Sequence, residues 1–378
     1  MTAPARDDGL LLHRLFDQQV ARNPDRIAVR DPRGELTYAR LAQRAGQLAA
    51  LLHDRSPQPG ARIGLHLERG AEVIVAMLAV LGSGHTYVPL DPAYPAERLR
   101  FTAQDAGLHL VLSDQPVPAE LAALPVLRLD TLPEPGRQLP LPEPVVDPDT
   151  PAYVIHLRFD RSPQGRSDSA PQCGRPDPGL RGPLRTAPGR RVDALPLLLV
   201  RLLGMGDLGR PAQRGDAGGG AAGGGGLAPG DPGPAGTRGV TVFSVVPSVF
   251  RYLARVARTR RTAVPPALRC VVFGGESIDV RDVRAWRAAF GRTTRFVNTY
   301  GITEATVFVT SRPLTDEELD RDPDAPGGSD FAAELGEPLD GWQLRVVDQE
   351  GADIRPGGTG EILVSGAGIA PDTWAGRS

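Results

Sequence analysis

Arg295-Phe296-Val297-Asn298-Thr299-Tyr300-Gly301-Ile302-Thr303-Glu304 begins as a strand, Arg295 to Asn298, and runs straight into a loop. That loop holds an aromatic ring, two hydroxyls and a carboxylate. An aromatic can stack on a base, a threonine hydroxyl can reach a phosphate oxygen, and a glutamate can hold Mg2+. Upstream, Arg269 to Phe273 is a second strand, and Gly274-Gly275-Glu276 follows it. Glycines at such a turn let a ligand approach the backbone closely. Alone, either segment has a plainer reading: a glycine pair after a strand is usually a turn, Tyr300 can be core, and Glu304 can be a solvated face.

Working outward, the rhythm is strand, helix, strand. Val240 to Val246 predicts a strand, Pro247 to Arg258 a helix and Val280 to Phe290 another helix. Leu344 to Val347 and Glu361 to Val364 predict strands of a later sheet. Toward the N-terminus, helices are expected over Leu10 to Val20, Ala39 to Leu52, Ala71 to Leu81 and Ala96 to Asp105, from apolar residues at helical spacing. Strands are expected at Ile27 to Val29, Leu36 to Tyr38, Arg62 to Leu67, His109 to Leu112 and Val126 to Leu129. Tyr87 to Asp91 leads into a Pro-rich turn, and 131–150 is a Pro-rich linker. Ala152 to His156 has the composition of a buried strand. Elements alternating at this pitch imply α/β architecture, with parallel sheets covered on both faces.

Composition narrows the function. The chain has 378 residues, 40% hydrophobic and 23% charged, with net charge −2. This balance gives no reason to expect nucleic acid or a membrane surface as a partner. All 43 basic residues are Arg, and Lys is absent. Lys is a frequent catalytic group and phosphate ligand. Two cysteines far apart, Cys173 and Cys270, fit a reducing compartment. No signal peptide or membrane span is legible, and a cytoplasmic location is expected. His85, Asp114, Asp279 and the Asp/Glu run at 316–320 read as structural or surface groups, and Cys270 as buried and inert.

Five blocks in order resemble the adenylation domains of nonribosomal peptide synthetases, within the adenylate-forming ligase superfamily. They are Leu36-Thr37-Tyr38-Ala39-Arg40-Leu41; Gly84 to Pro92 with Tyr94 to Leu99; Gly274-Gly275-Glu276; Asn298 to Glu304; and Gly360 to Gly368. The resemblance covers about 10–156 and 238–371. It implies a large core of parallel and mixed sheets flanked by helices, a smaller β subdomain, and a C-terminal lid that this chain is expected to lack. It implies ATP and Mg2+ as cofactors, an amino acid as substrate, and a peptidyl carrier protein with its phosphopantetheine thiol as partner. Catalytic roles fall to Thr303, at the α-phosphate, and Glu304, at the metal. Nucleotide contacts fall to Gly274, Gly275, Glu276, Asn298, Thr299, Tyr300 and Gly301, with Tyr300 stacked on adenine. The amino-acid pocket would be Ser244, Val272, Gly274, Thr299, Val307 and Phe308. Ile302 stands where the family usually has Pro. A Thr-type substrate is the nearest match, although Phe308 fits it poorly. Two other readings stay open: an acyl-CoA or aryl-acid ligase of the same superfamily, and a non-catalytic binding fragment.

The window 157–237 breaks the pattern. It has no Lys, Glu, Ile, Asn, His, Tyr or Trp, and it is crowded with Gly, Pro and Arg. The family has a phosphate-gripping T-S-G-S-T-G-x-P-K-G loop after the strand that ends at His156. Here Leu157-Arg158-Phe159-Asp160-Arg161-Ser162-Pro163-Gln164-Gly165-Arg166 follows. One permitted coding is CTC CGG TTC GAC CGG TCG CCC CAA GGG CGT. Read one letter later, it gives S-G-S-T-G-R-P-K-G. Pro171 to Asp177 can likewise give R-N-V-V-A-L-I. Val192 to Gly209 can give W-T-L-F-H-S-Y-S-F-D-F-S-V-W-E-I-W, which includes the Asp that binds the substrate amine. Asp372 to Arg377, with a preceding G, can give G-Y-L-G-R. The expected organisation is therefore a tail at 1–9, an adenylation core at 10–371 interrupted by an out-of-frame, disordered 157–237, and an out-of-frame tail at 372–378. Negligible adenylation activity and weak folding are expected of this polypeptide. The competing reading of the window is a natural Gly/Pro-rich linker.

Overall fold

The computed structural model describes residues 11–56, 58–130, 150–156, 240–260, 268–321, 330–366 and 368–369. They fall into two compact units, one before and one after the 157–237 window.

In the first unit, α1 (Leu12–Arg22) precedes a hairpin of β1 (Ile27–Asp31) and β2 (Gly34–Thr37). The Asp31 carboxylate accepts from the backbone N–H groups of Arg33, Gly34 and Ala71, at 2.8, 3.0 and 2.9 Å. One side chain thus fixes the hairpin turn and supplies negative charge at the start of α3 (Ala71–Gly82). Those bonds, Ala71 first, hold its carboxyl below the usual carboxylate range. Between hairpin and α3 lie α2 (Tyr38–Arg55), capped by the Thr37 hydroxyl, and β3 (Arg62–His66). Then follow β4 (Thr86–Pro89), α4 (Ala96–Asp105), β5 (Leu110–Ser113) and β6 (Val126–Arg128). The strands form a parallel sheet in the order β4-β3-β5-β6. Helix α3 buries Ile74, Val75, Met77 and Val80, and β5 is buried throughout, as expected for a sheet covered on both faces.

Three expectations change here. Tyr38 opens α2 instead of closing β2, because Thr37 is the cap. The Tyr87 segment is a strand and not only the approach to a turn; Pro89 ends it, paired with Leu65, where a missing N–H costs little. Ala152 to His156 is not a buried strand. Tyr153 bridges Tyr87 in parallel, Val154 donates to Tyr87 O at 3.0 Å, and Ile155 is 39% exposed. The segment lies at the sheet edge and pairs on one side only among the described residues. Tails 1–9 and 372–378, Cys173, nearly all of the 131–150 linker and the whole 157–237 window lie outside the described residues.

The second unit holds a five-stranded sheet in the order β11-β10-β9-β8-β7. The strands β7 (Val242–Val245), β8 (Cys270–Phe273) and β9 (Arg295–Tyr300) run parallel, with β10 (Thr310–Leu314) and β11 (Glu337–Pro338) antiparallel. Helices α5 (Pro247–Arg260) and α6 (Val280–Phe290) connect the parallel strands, and α7 (Asp316–Asp320) follows β10. An aromatic cluster forms the centre: Phe250 lies 5.0 Å from Phe273 and 5.1 Å from Trp286, and Phe273 stacks on Phe296. A separate antiparallel pair, β12 (Trp342–Val347) and β13 (Glu361–Gly366), is the smaller β element. The architecture is α/β with parallel and mixed sheets flanked by helices.

The acidic run at 316–320 is more than surface charge. It is α7, with a capping box between Thr315 and Glu318, tied by Arg287 to Asp316 at 2.8 Å and by Arg312 to Glu318 at 2.5 Å. Asp279 is the N-cap of α6 and pairs with Arg281. Asp114 lies within 3.4 Å of the Glu68 N–H. Cys270 is only partly buried, and that burial pushes its thiol up. His85 is interior, at 2% exposure.

Candidate functional site

Strand alternation brings four residues to one face of the second sheet. Ser244 pairs with Val272 and Val272 with Val297, so Ser244, Val272, Gly274 and Thr299 share that face near the carboxyl ends of β7, β8 and β9. Carboxyl ends of parallel strands are where open α/β sheets bind ligands. Thr299 is buried, and its hydroxyl donates to Phe273 O at 2.6 Å.

After Tyr300 the chain makes a compact loop back to β10. Thr303–Ala305 is a single 3-10 turn, with Ala305 buried and Ile302 46% exposed. Thr306 and Val307 take left-handed backbone conformations, φ 47° and 81°. Such φ values are costly for a β-branched residue and persist only where the surroundings over-determine them. The surroundings do so here: Val307 N–H bonds to Ile302 O at 3.2 Å and Val309 N–H to Tyr300 O at 2.8 Å, while the Thr306 hydroxyl bonds to Gly368 O beyond β13. The loop therefore delivers Phe308 beside Gly274. A Cβ on Gly274 would lie 2.6 Å from Phe308 Cε1 and 2.9 Å from Thr299 Oγ1. A side chain at Gly274 would have to displace the Phe308 ring and crowd the Thr299 hydroxyl.

Of the six expected pocket positions, Ser244, Val272, Gly274 and Thr299 share one sheet face and the Phe308 ring abuts Gly274, while Val307 is fixed by its backbone bond to Ile302 O. Tyr300, half-buried, closes β9, and Thr303 and Glu304 follow it, both half-buried. Two expected nucleotide contacts are engaged elsewhere. Asn298 points to the opposite face from Thr299, and its amide donates to Glu334 O at 3.3 Å. Glu276 accepts from the Ser248 N–H at 2.9 Å and the Ser248 hydroxyl at 3.0 Å, which anchors the start of α5. Gly275 has φ 85°, the conformation its turn requires. No group of three or more His, Cys, Asp or Glu suited to a metal forms among the described residues. Glu304 alone fits a Mg2+ ion that takes its other ligands from phosphate and water. The sequence did not announce Thr306: an ordinary threonine after a turn shows no sign of the left-handed φ or of the distant Gly368 carbonyl.

The AMP-binding enzyme family matches residues 16–156 and 236–374, and the chain belongs to that family. Within it, the chain is similar to nonribosomal peptide synthetases. It is 32% identical over 374 residues to syringomycin synthase SyrB1 of Pseudomonas syringae pv. syringae, covering 96% of this chain and 58% of that protein. It is 28% identical to gramicidin S synthase 2 of Brevibacillus brevis, covering 95% of this chain and 8% of that protein. The fold matches PA1221, an NRPS protein containing adenylation and PCP domains, with TM-score 0.65 and 26% identity, covering 97% of this chain and 72% of that one. The fold and the relatives define an adenylation domain, and the chain spans little more than half of SyrB1. No helix among the described residues is long and apolar enough to cross a membrane.

Proposed function

We propose that the chain descends from an enzyme that condenses an amino acid with ATP, releases pyrophosphate, and hands the acyl group to the phosphopantetheine thiol of a peptidyl carrier protein in the cytoplasm. The observation that carries this reading is the loop 300–308, which follows the carboxyl end of β9 with an aromatic, a hydroxyl and a carboxylate and brings the Phe308 ring against Gly274 at the end of β8. Its relatives are multi-domain peptide synthetases, and PA1221 joins an adenylation domain to a carrier domain.

In this reading Tyr300 stacks on adenine and Gly274 and Gly275 let the nucleotide close on the backbone. The substrate carboxylate attacks the α-phosphorus in line, and the bond to the pyrophosphate oxygen breaks. Thr303 donates to the α-phosphate, and Glu304 helps hold the Mg2+ that spreads the developing charge.

We propose further that 157–237 and 372–378 are translated out of frame, so this polypeptide lacks the pyrophosphate-gripping loop and the amine-binding Asp. In support, the family match stops at 156 and resumes at 236, and the intervening residues are crowded with Gly, Pro and Arg. None of the 378 residues is Lys, so none of them supplies a lysine ammonium to the transition state. Amino-acid-dependent exchange between ATP and pyrophosphate tests both steps. This polypeptide should give no exchange above background; a clear signal would contradict the loss of function. A version with the window recoded in the alternative frame, fused to a complete C-terminal lid, should exchange with amino acids. Exchange with aryl or fatty acids alone would favour the acyl-ligase reading.

A further inference from the structure

The edge of the Phe308 ring rests against the bare Cα of Gly274. A Cβ there would meet Phe308 Cε1 at 2.6 Å and Cζ at 3.1 Å. The ring therefore occupies the space above Gly274, on the sheet face shared with Ser244, Val272 and Thr299. Its backbone is held on both sides. Phe308 N–H bonds to Thr306 O at 3.0 Å, the next N–H bonds to Tyr300 O at 2.8 Å, and the preceding residues are locked in left-handed φ. The main chain cannot carry the ring away without breaking these bonds.

The chemistry of the lining is equally restrictive. Val272 is a buried aliphatic side chain on that face, at 8% exposure. The Thr299 hydroxyl is bonded to Phe273 O, so its donor is not directed at a substrate. None of the six pocket positions is charged. An ionised side chain placed there would be buried without a partner from this set, which is strongly unfavourable.

We propose that Phe308 sets the upper size limit of this pocket, so that the site takes an amino acid with a small, uncharged side chain and excludes aromatic, long-chain and ionised ones. This rests on the adenylation reading above and deepens it.

The test is calorimetric binding of the full chain to AMP and to non-hydrolysable aminoacyl sulfamoyl-adenosines bearing alanine, valine, leucine, phenylalanine or glutamate. The alanyl and valyl compounds should bind at least about tenfold more tightly than the leucyl, phenylalanyl and glutamyl ones, the scale on which pocket size discriminates. Phe308→Ala should raise the affinity for the phenylalanyl compound, relative to AMP, by about tenfold or more. If AMP binds and the analogues show no ranking by size, or if Phe308→Ala leaves the ranking as it was, the inference is overturned and the adenylate reading stands. If neither AMP nor any analogue binds, the site does not select by size and the inference is overturned, while the adenylate reading is decided separately by exchange with the recoded version. Should Phe308→Ala not fold, the wild-type series alone decides, because equal affinity for the large and small compounds overturns the size limit.

Discussion

Gly301 and His85 show how much a single position decides. At Gly301 a Cβ would press on the Val307 carbonyl and come within 2.7 Å of Phe308 Cα, both backbone atoms that cannot step aside. Gly301→Ala should therefore cost about 1–3 kcal/mol, measured by urea denaturation, and should shift the loop that carries Phe308. An unchanged midpoint would mean the loop is not packed as described. His85 is interior, and its ring nitrogens make no well-formed hydrogen bond among the described residues. Burial lowers its pKa below 6.5; the Ser56 backbone opposes this, and the neighbouring His109 and His53 add to it. His66 is lowered as well, by burial, against the charges of Asp114 and Asp91. The unfolded chain therefore binds these protons more readily than the folded one. The stability from neutral His85 and His66 is complete above 6.5 and is lost as the pH falls below it. Urea midpoints should fall between about pH 7.5 and about pH 5, and His85→Met should shrink that fall. The same fall in the variant would show that His85 does not contribute.

Among the elements, α7 is the most dependent on charge. Its only buried apolar side chain among the described residues is Leu319, and it is held by its capping box and by Arg284, Arg287 and Arg312. Arg312 and Glu318 are both largely buried, at 12% and 15% side-chain exposure. Glu318→Ala removes the box and this pair together and should cost about 1–3 kcal/mol, read by denaturant midpoint. A cost near zero would show that α7 docks by Leu319 alone. This element also marks where sequence reading stops. The helix Val280–Phe290 was legible to the residue, because its apolar spacing is helical and Asp279 and Gly291 bracket it. Five acidic-rich residues show no such periodicity; they fold as a helix because Arg side chains distant in sequence neutralise them. The strand β10 was equally silent, since Pro313 in a run reads as a breaker, yet it pairs with all of Phe296 to Tyr300. The site divides the same way. Gly274, Thr299 and Tyr300 were legible from their order in two short blocks, whereas the commitments of Glu276 to Ser248 and of Asn298 to Glu334 depend on partners 28 and 36 residues away.

At the scale of the whole molecule, two well-formed α/β units stand on either side of a window whose composition belongs to neither. The family match covers both flanks and breaks after His156, where the resemblance expects the phosphate loop. Determining the nucleotide sequence of the gene from the codon for His156 to the codon for Thr237 tests the out-of-frame reading most directly. An adjacent frame spelling a Ser/Thr/Gly-rich loop ending in Lys-Gly, with the family frame resuming by Arg238, is the result predicted. Codons that yield no such loop in either neighbouring frame would contradict it, and the window would then be a native part of the chain.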